Sequence, residues 1–321
     1  MSMDKQDKLS IVVPCHNEEE NLPVFHKTLL EIQNTMSTVH FEYVFVDDGS
    51  QDNTWMQIAL LAKNSPNVVG IKLSRNFGKE SAILAGLSNV SGGAVVVIDC
   101  DMQHPPELIP EMYRIWQEDA VDVVEGIKQS RGNESKLYRA FANFFYALVE
   151  KTGSINLRGS SDFQLMDRKV ADVISSLPER QRFFRALSSW SGFKRAKVQF
   201  RVQERLGGIS KWSFFKLFKY AINNITSFST IPLQIVTLLG FVFFVAATIL
   251  GIHTLYVFIA GVAVEGFTTV ILLLLIIGSM LMISLGILGI YVAKIYEEIK
   301  GRPPYLIELI IAHDKDKDIA G

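Results

Sequence analysis

From Tyr220 to Val264 the chain runs 45 residues without an Asp, Glu, Lys or Arg, and after Glu265 another 28 uncharged residues reach Ala293. A helix that crosses a bilayer needs about 20 consecutive apolar residues, so these stretches predict two spans, roughly Leu233 to Ile259 and Phe267 to Ala293. A buried hairpin of a soluble protein is the competing reading. Lys216 and Lys219 precede the first span, Lys294, Lys300 and Arg302 follow the second, and the loop between them carries only Glu265. Because basic flanks stay on the cytoplasmic side, both termini are expected there. The first apolar run, Leu9 to Val13, is too short for the core of a signal peptide, so the N-terminal part is not expected to be exported.

The residues before the spans look like a soluble domain. Short β-rich runs (9 to 13, 41 to 46, 68 to 73, 94 to 98, 121 to 125) alternate with helical patterns near 19 to 35, 53 to 63, 79 to 89 and 107 to 118. That alternation predicts an α/β fold with a mostly parallel central sheet wrapped by helices. The predicted organisation is a sheet domain over 1–212, a juxtamembrane amphipathic helix over 213–230, a transmembrane hairpin over 231–295 and a cytoplasmic tail over 296–321. Phe214, Phe215, Leu217, Phe218, Ala221, Ile222 and Ile225 give the juxtamembrane helix its apolar face. A second aromatic, basic helix is expected over 134–151, lying either in the bilayer interface or against the core.

With 32 basic and 33 acidic residues the net charge is -1, which gives no basic face for nucleic acid. The only cysteines, Cys15 and Cys100, stand 85 positions apart outside any C-x-x-C spacing, so neither a disulfide framework nor a zinc site is expected.

In a sheet of this kind ligands bind beyond the carboxyl ends of the strands, and the polar motifs fall there. The strongest is Asp99-Cys100-Asp101-Met102-Gln103-His104-Pro105-Pro106-Glu107. Two carboxylates one residue apart at a strand end converge on one point, and hard oxygen donors suit Mg2+ or Mn2+ on a diphosphate. A bare D-x-D is weak, since Asp pairs are common in turns; its place after a buried strand and the Gln-His-Pro-Pro-Glu that continues it strengthen the reading. Asp47-Asp48-Gly49-Ser50 reads in isolation as a turn before a capped helix, although ionised carboxylates also suit ribose hydroxyls and an imide N–H. Asn76, Gly78 and Lys79 open a helix, where backbone N–H groups and a lysine favour phosphate; no Walker loop is present.

These segments, with Pro14-Cys15-His16-Asn17-Glu18, Ser161-Asp162-Phe163-Gln164-Leu165-Met166-Asp167-Arg168, Arg205-Leu206-Gly207-Gly208-Ile209-Ser210-Lys211-Trp212 and Glu297-Glu298-Ile299-Lys300-Gly301-Arg302-Pro303, resemble the polyprenyl-phosphate glycosyltransferases of family 2. That family includes dolichyl-phosphate mannose synthase and the two-span bactoprenol glucosyltransferases, to which the resemblance is strongest, and it covers almost the whole chain. Cys15-His16 departs from it, since an aromatic often precedes the Asn-Glu pair.

The resemblance implies a GT-A nucleotide-sugar domain and an inverting, metal-dependent transfer of a hexose, glucose from UDP-glucose first, to undecaprenyl or another polyprenyl phosphate. It implies that Pro14, Asn17, Glu18, Asp47, Asp48 and Asp99 hold the nucleoside, with Asn76 and Lys79 on the donor side. Asp101 and Gln103 are the implied metal ligands, with His104 left open, for Mg2+ or Mn2+. Asp162 is the implied catalytic carboxylate, and Arg205 and Lys211 the cations meeting the donor diphosphate or the lipid phosphate. Galactose, N-acetylglucosamine, mannose or an amino-arabinose derivative remain alternative donor sugars, and a non-catalytic nucleotide-sugar-binding scaffold is the reading from another class. A bacterial cytoplasmic membrane location, a homo-oligomer (a tetramer in the family), a flippase partner and use in cell-envelope glycans are implied in the same way. A processive polysaccharide synthase is disfavoured because Gln181-Arg182-Phe183-Phe184-Arg185 does not match Q-x-x-R-W.

Overall fold

The computed structural model describes residues 8–128, 160–179, 182–200, 231–260 and 266–313. The amphipathic helices expected over 134–151 and 213–230 lie outside them. Two compact units divide the chain, one built from residues 1–146, 155–212 and 302–321, the other from 147–154 and 213–301.

The first unit opens with three strand–helix pairs: β1 (Lys8–Cys15), α1 (Leu22–Thr35), β2 (His40–Asp47), α2 (Thr54–Asn64), β3 (Val68–Leu73) and α3 (Lys79–Leu87). Next come β4 (Ala94–Val97), a 3-10 turn (Pro106–Leu108), α4 (Ile109–Glu118), β5 (Val123–Lys128), β6 (Ser160–Asp167), α5 (Arg168–Ser176), α6 (Phe184–Trp190) and β7 (Arg195–Phe200). The eight-stranded sheet has the order β7-β5-β6-β4-β1-β2-β3-β8, its last strand being β8 (Ile307–Ala312). β4, β1, β2 and β3 run parallel, as the βα alternation predicted, whereas β6 enters antiparallel to both β4 and β5.

Helices cover both faces of the parallel strands, so these strands are apolar on both sides. Leu9, Ile11 and Val13 of β1 pack with Phe25, Leu29, Ile58, Ile109 and Met112 on one face. Val12 packs with Val44, Val46, Ile83 and Val170 on the other. Strand order reverses direction at β1, which lies between β2 and β4. The crevice at such a reversal is where this architecture takes ligands, and the loops after Cys15 and Val97 border it.

β8 departs from the expected organisation. The tail expected over 296–321 instead starts inside a helix that runs to Ile299 and continues as a strand antiparallel to β3, pairing Ile71 with Ile310 and Val69 with Ala312. The physical reason lies in Ile307-Glu308-Leu309-Ile310-Ile311-Ala312, a run rich in β-branched residues that covers an otherwise open edge. Lys72 and Glu308 pair across it at 3.0 Å.

The second unit contains α7 (Ile231–Ile259) and α8 (Phe267–Ile299), which contact each other. Leu233–Val257 and Leu273–Ile299 are long and apolar enough to cross a membrane, and neither is buried by protein. At 1.5 Å per residue helices of this length exceed the roughly 30 Å hydrocarbon core. The second apolar window is shifted toward the C-terminus relative to the span expected from charge alone.

Candidate active site

At the carboxyl ends of β1 and β2 two loops are laced together. The backbone N–H of Asp48 donates to the carbonyl of Cys15 (2.9 Å). Those of Asn17 and Glu18 donate to the hydroxyls of Ser50 (3.0 Å) and Thr54 (2.8 Å), and that of Gln51 donates to Asn17 Oδ1 (2.9 Å). Asn17 adopts a left-handed φ of 56° to make this crossing, a conformation that Asn tolerates better than most residues. His16 Nδ1 lies 2.9 Å from the carbonyl of Asp48, and the Asn76 amide reaches the same ring at 3.1 Å.

The two acidic residues of the second loop have different surroundings. Asp47 is fully buried, accepts from the Ser50 N–H through Oδ1, and has no partner for Oδ2 among the described residues. Burial pushes its carboxyl up against the Ser50 hydrogen bonds. Asp48 spends both oxygens on backbone, accepting from Phe77 N–H (2.7 Å) and Gly78 N–H (2.9 Å). It therefore braces the loop between β3 and α3. The Gly78 amide, one of those the sequence assigned to phosphate, is thus already engaged. Gly49 is required between them: its φ is 64°, and a Cβ would strike the backbone of Arg75 and Asn76.

Lys79, the first residue of α3, also turns inward. Its Nζ lies 2.6 Å from Asp99 Oδ1 and 2.5 Å from Asp162 Oδ2. Burial lowers its pKa, but the two carboxylates more than reverse that and leave it above the ordinary lysine value. Beyond Asp99, the ligand atoms of Asp99, Asp101 and His104 all lie within 4.8 Å of one another. His104 is buried between Phe163 and Phe200, with ring centroids 5.8 and 5.5 Å away, and its Nδ1 is 3.6 Å from Asp99 Oδ2. Asp101 Oδ1 accepts from the Gln103 N–H (3.1 Å) across Met102, whose φ is 58°. Two carboxylates and an imidazole at this spacing form a donor set fit for a divalent ion.

Asp162 lies on β6, beside β4, and is 3% exposed. Arg185 of α6 grips it with a fork, Nε to Oδ1 at 2.6 Å and Nη2 to Oδ2 at 2.9 Å, while Lys79 also reaches Oδ2. Burial pushes this carboxyl up, but the Arg185 hydrogen bonds and the Lys79 and Arg185 charges win, holding it well below the usual carboxylate range. Glu80, next to Lys79, accepts from the Phe184 N–H at 2.8 Å, and burial together with the Asp162 charge raises its carboxyl to about 7. Asp167 caps α5 by accepting from the Lys169 N–H.

The fold thus brings Asp99, Asp101, His104, Lys79 and Asp162 to one end of the sheet, with Asp47, Asp48, Asn17 and Asn76 in the adjoining loops. Arg205 and Lys211 lie outside the described residues. Arg185 was missed from sequence: its segment was weighed only against Q-x-x-R-W, and its signal is no more than a basic residue following two aromatics.

The glycosyl transferase family 2 profile matches residues 10–174. A prophage-derived bactoprenol glucosyl transferase of Shigella flexneri is 40% identical over 306 residues, covering 94% of this chain and 97% of the relative. A prophage bactoprenol glucosyl transferase homolog of Escherichia coli K12 is 39% identical over 305 residues, covering 94% and 99%. An uncharacterized glycosyltransferase of Synechocystis is 38% identical over 305 residues, covering 94% of each chain.

Proposed function

The chain belongs to glycosyltransferase family 2, and from that premise we propose that it moves glucose from UDP-glucose to the phosphate of a polyprenyl lipid, undecaprenyl phosphate in a bacterium, with inversion at the anomeric carbon. The relatives named as bactoprenol glucosyl transferases support the acceptor and the sugar. The two apolar helices support a seat in the membrane that holds such a lipid, and the basic flanks support a sheet domain on the cytoplasmic side.

The observation that carries the reading is the Lys79 bridge, which couples Asp162 to Asp99 and so joins the reacting-centre carboxylate to the D-x-D loop. The nucleoside is assigned to Pro14, Asn17, Glu18 and Asp47, whose unpartnered Oδ2 suits an imide or hydroxyl donor. Asp48 and Asn76 shape that pocket. Asp101, Asp99, His104 and Gln103 would hold Mg2+ or Mn2+, which when bound neutralises charge on the departing diphosphate.

The acceptor is a phosphate monoester whose second pKa is near 6, so its attacking oxygen is already anionic at neutral pH and needs no strong base. Asp162, kept ionised by its two cations, stabilises the positive charge that develops at the anomeric carbon during in-line displacement. Arg205 and Lys211, outside the described residues, are assigned by the family resemblance to the donor diphosphate or the lipid phosphate.

The experiment is transfer of labelled glucose from UDP-glucose to undecaprenyl phosphate by the purified full-length chain with Mn2+ or Mg2+, with EDTA and Asp162→Ala controls. Labelled lipid lost in both controls supports the proposal. Product from another nucleotide-sugar corrects the donor alone, and silence with every donor overturns the enzyme assignment for this acceptor.

A further inference from the structure

α6 is seven residues long, yet three successive polar contacts fasten it. At its start the Phe184 N–H donates to Glu80 of α3 (2.8 Å), and one residue later Arg185 forks onto Asp162 of β6. One turn on, the Ser188 hydroxyl donates to Gln164 Oε1 (2.6 Å), two residues beyond Asp162 on the same strand, and itself accepts from Arg195 Nη2 (2.8 Å). Lys79 and Glu80 on α3 therefore face Arg185 and Phe184 on α6 as adjacent rungs, with Asp162 between the two cations.

Stability alone does not account for this. A buried ion pair roughly breaks even against its desolvation, and Ser188, Gln164 and Glu80 are polar groups where apolar packing would serve. What the arrangement supplies is orientation. A carboxylate held only by the flexible, single-point Lys79 could rotate, whereas a planar guanidinium fork fixes both oxygens.

We propose that Arg185 is a positioning residue of the transfer reaction, fixing the plane of the Asp162 carboxylate and keeping it anionic through turnover, with Glu80 and Ser188 seating the helix that carries it. The proposal rests on the reading of Asp162 as the carboxylate at the reacting centre.

The test uses the full-length enzyme in the transfer assay, with Arg185→Ala, Arg185→Lys and Asp162→Asn. Arg185→Ala is expected to lower kcat about 100-fold while the donor KM stays within about threefold, the signature of an interaction needed in the transition state. Arg185→Lys, which keeps charge but loses the fork, is expected to recover less than about a tenth of wild-type kcat. Guanidinium ion at roughly 20 mM is expected to restore Arg185→Ala about tenfold and to leave Asp162→Asn unchanged, because only the former lacks a fork that the free ion can replace. A purely structural arginine would give no such rescue.

Wild-type kcat in Arg185→Ala, a loss confined to KM, or absence of rescue in a variant that melts like wild type would each overturn the proposal. If Arg185→Ala fails to fold, Arg185→Lys decides: full activity overturns it, and a folded enzyme with the kcat loss supports it. A wild-type chain that transfers no sugar overturns the acceptor reading and this inference together, whereas an active wild type with unaffected Arg185 variants overturns this inference alone.

Discussion

The backbone N–H of Ser74 donates to the carbonyl of Leu306 at 3.0 Å. This bond ties the start of the Ser74–Lys79 loop to the residue that leads into β8. The loop whose Phe77 and Gly78 amides hold Asp48, and whose Lys79 reaches Asp99 and Asp162, is thereby anchored by residues from the other end of the sequence.

Removing residues 307–321 strips β8 from β3. The expected outcome is an unfolding midpoint of the sheet domain lower by about 5 °C or more, with self-association through the exposed β3 edge. Thermal melting and light scattering of the truncated enzyme check this; an unchanged midpoint would show that β8 only decorates the edge.

Gly49→Ala places a methyl against the Arg75–Asn76 backbone at a positive φ. Since Asp48 and the 74–79 loop must then separate, donor KM is expected to rise by about tenfold or more, with about 1 to 3 kcal/mol lost from folding through left-handed strain. Donor titration and chemical denaturation measure the two effects separately.

Asp101→Asn removes one charged donor from the Asp99, Asp101, His104 group. Mn2+ affinity, read by electron paramagnetic resonance without substrate, is expected to fall at least about tenfold, and transfer with it. Equal Mn2+ binding in the variant would move the metal away from this loop.

Glu80 has its carboxyl raised from 4.5 to about 7 by burial, with the Asp162 charge adding to it. A native group that holds its proton more tightly than the unfolded chain contributes stability that is complete below about pH 4.5 and lost as pH rises through about 7. Glu80→Gln retains an acceptor for the Phe184 N–H and cannot ionise. Its unfolding free energy is expected to stay level across that window while the wild type declines, and denaturant titrations at about pH 5 and 8 compare the two. Parallel curves would exclude Glu80 as the titrating group.

Much of the site was legible because its residues sit at strand ends, where local sequence already dictates geometry. Asp47 and Asp99 each close or follow an apolar run, and period and length were enough to put them at strand ends, whereas Asp162, the third residue of β6, was reached only through the resemblance of its segment to the family's. Asp48 was identified as part of the site, but its engagement with the Phe77 and Gly78 amides depends on how the β2 and β3 loops cross. Arg185 carried no local signal beyond a basic residue following two aromatics, since its partner lies 23 residues away on β6.

The sequence by itself determined the βα alternation, the two apolar helices and the strand-end motifs, because side-chain periodicity reports local burial. Only the tertiary structure decided which distant segments meet. β1 and β4 pair Val12 with Val97, the same 85-residue offset that separates Cys15 from Cys100, and so two cysteines without a recognisable spacing come to share one buried cluster as free thiols. By the same principle the segment beyond the second apolar helix became the sheet's edge strand, and Arg185 and Lys79 converged on Asp162. Strand order and register fix such contacts, and neither is encoded in any single window of residues.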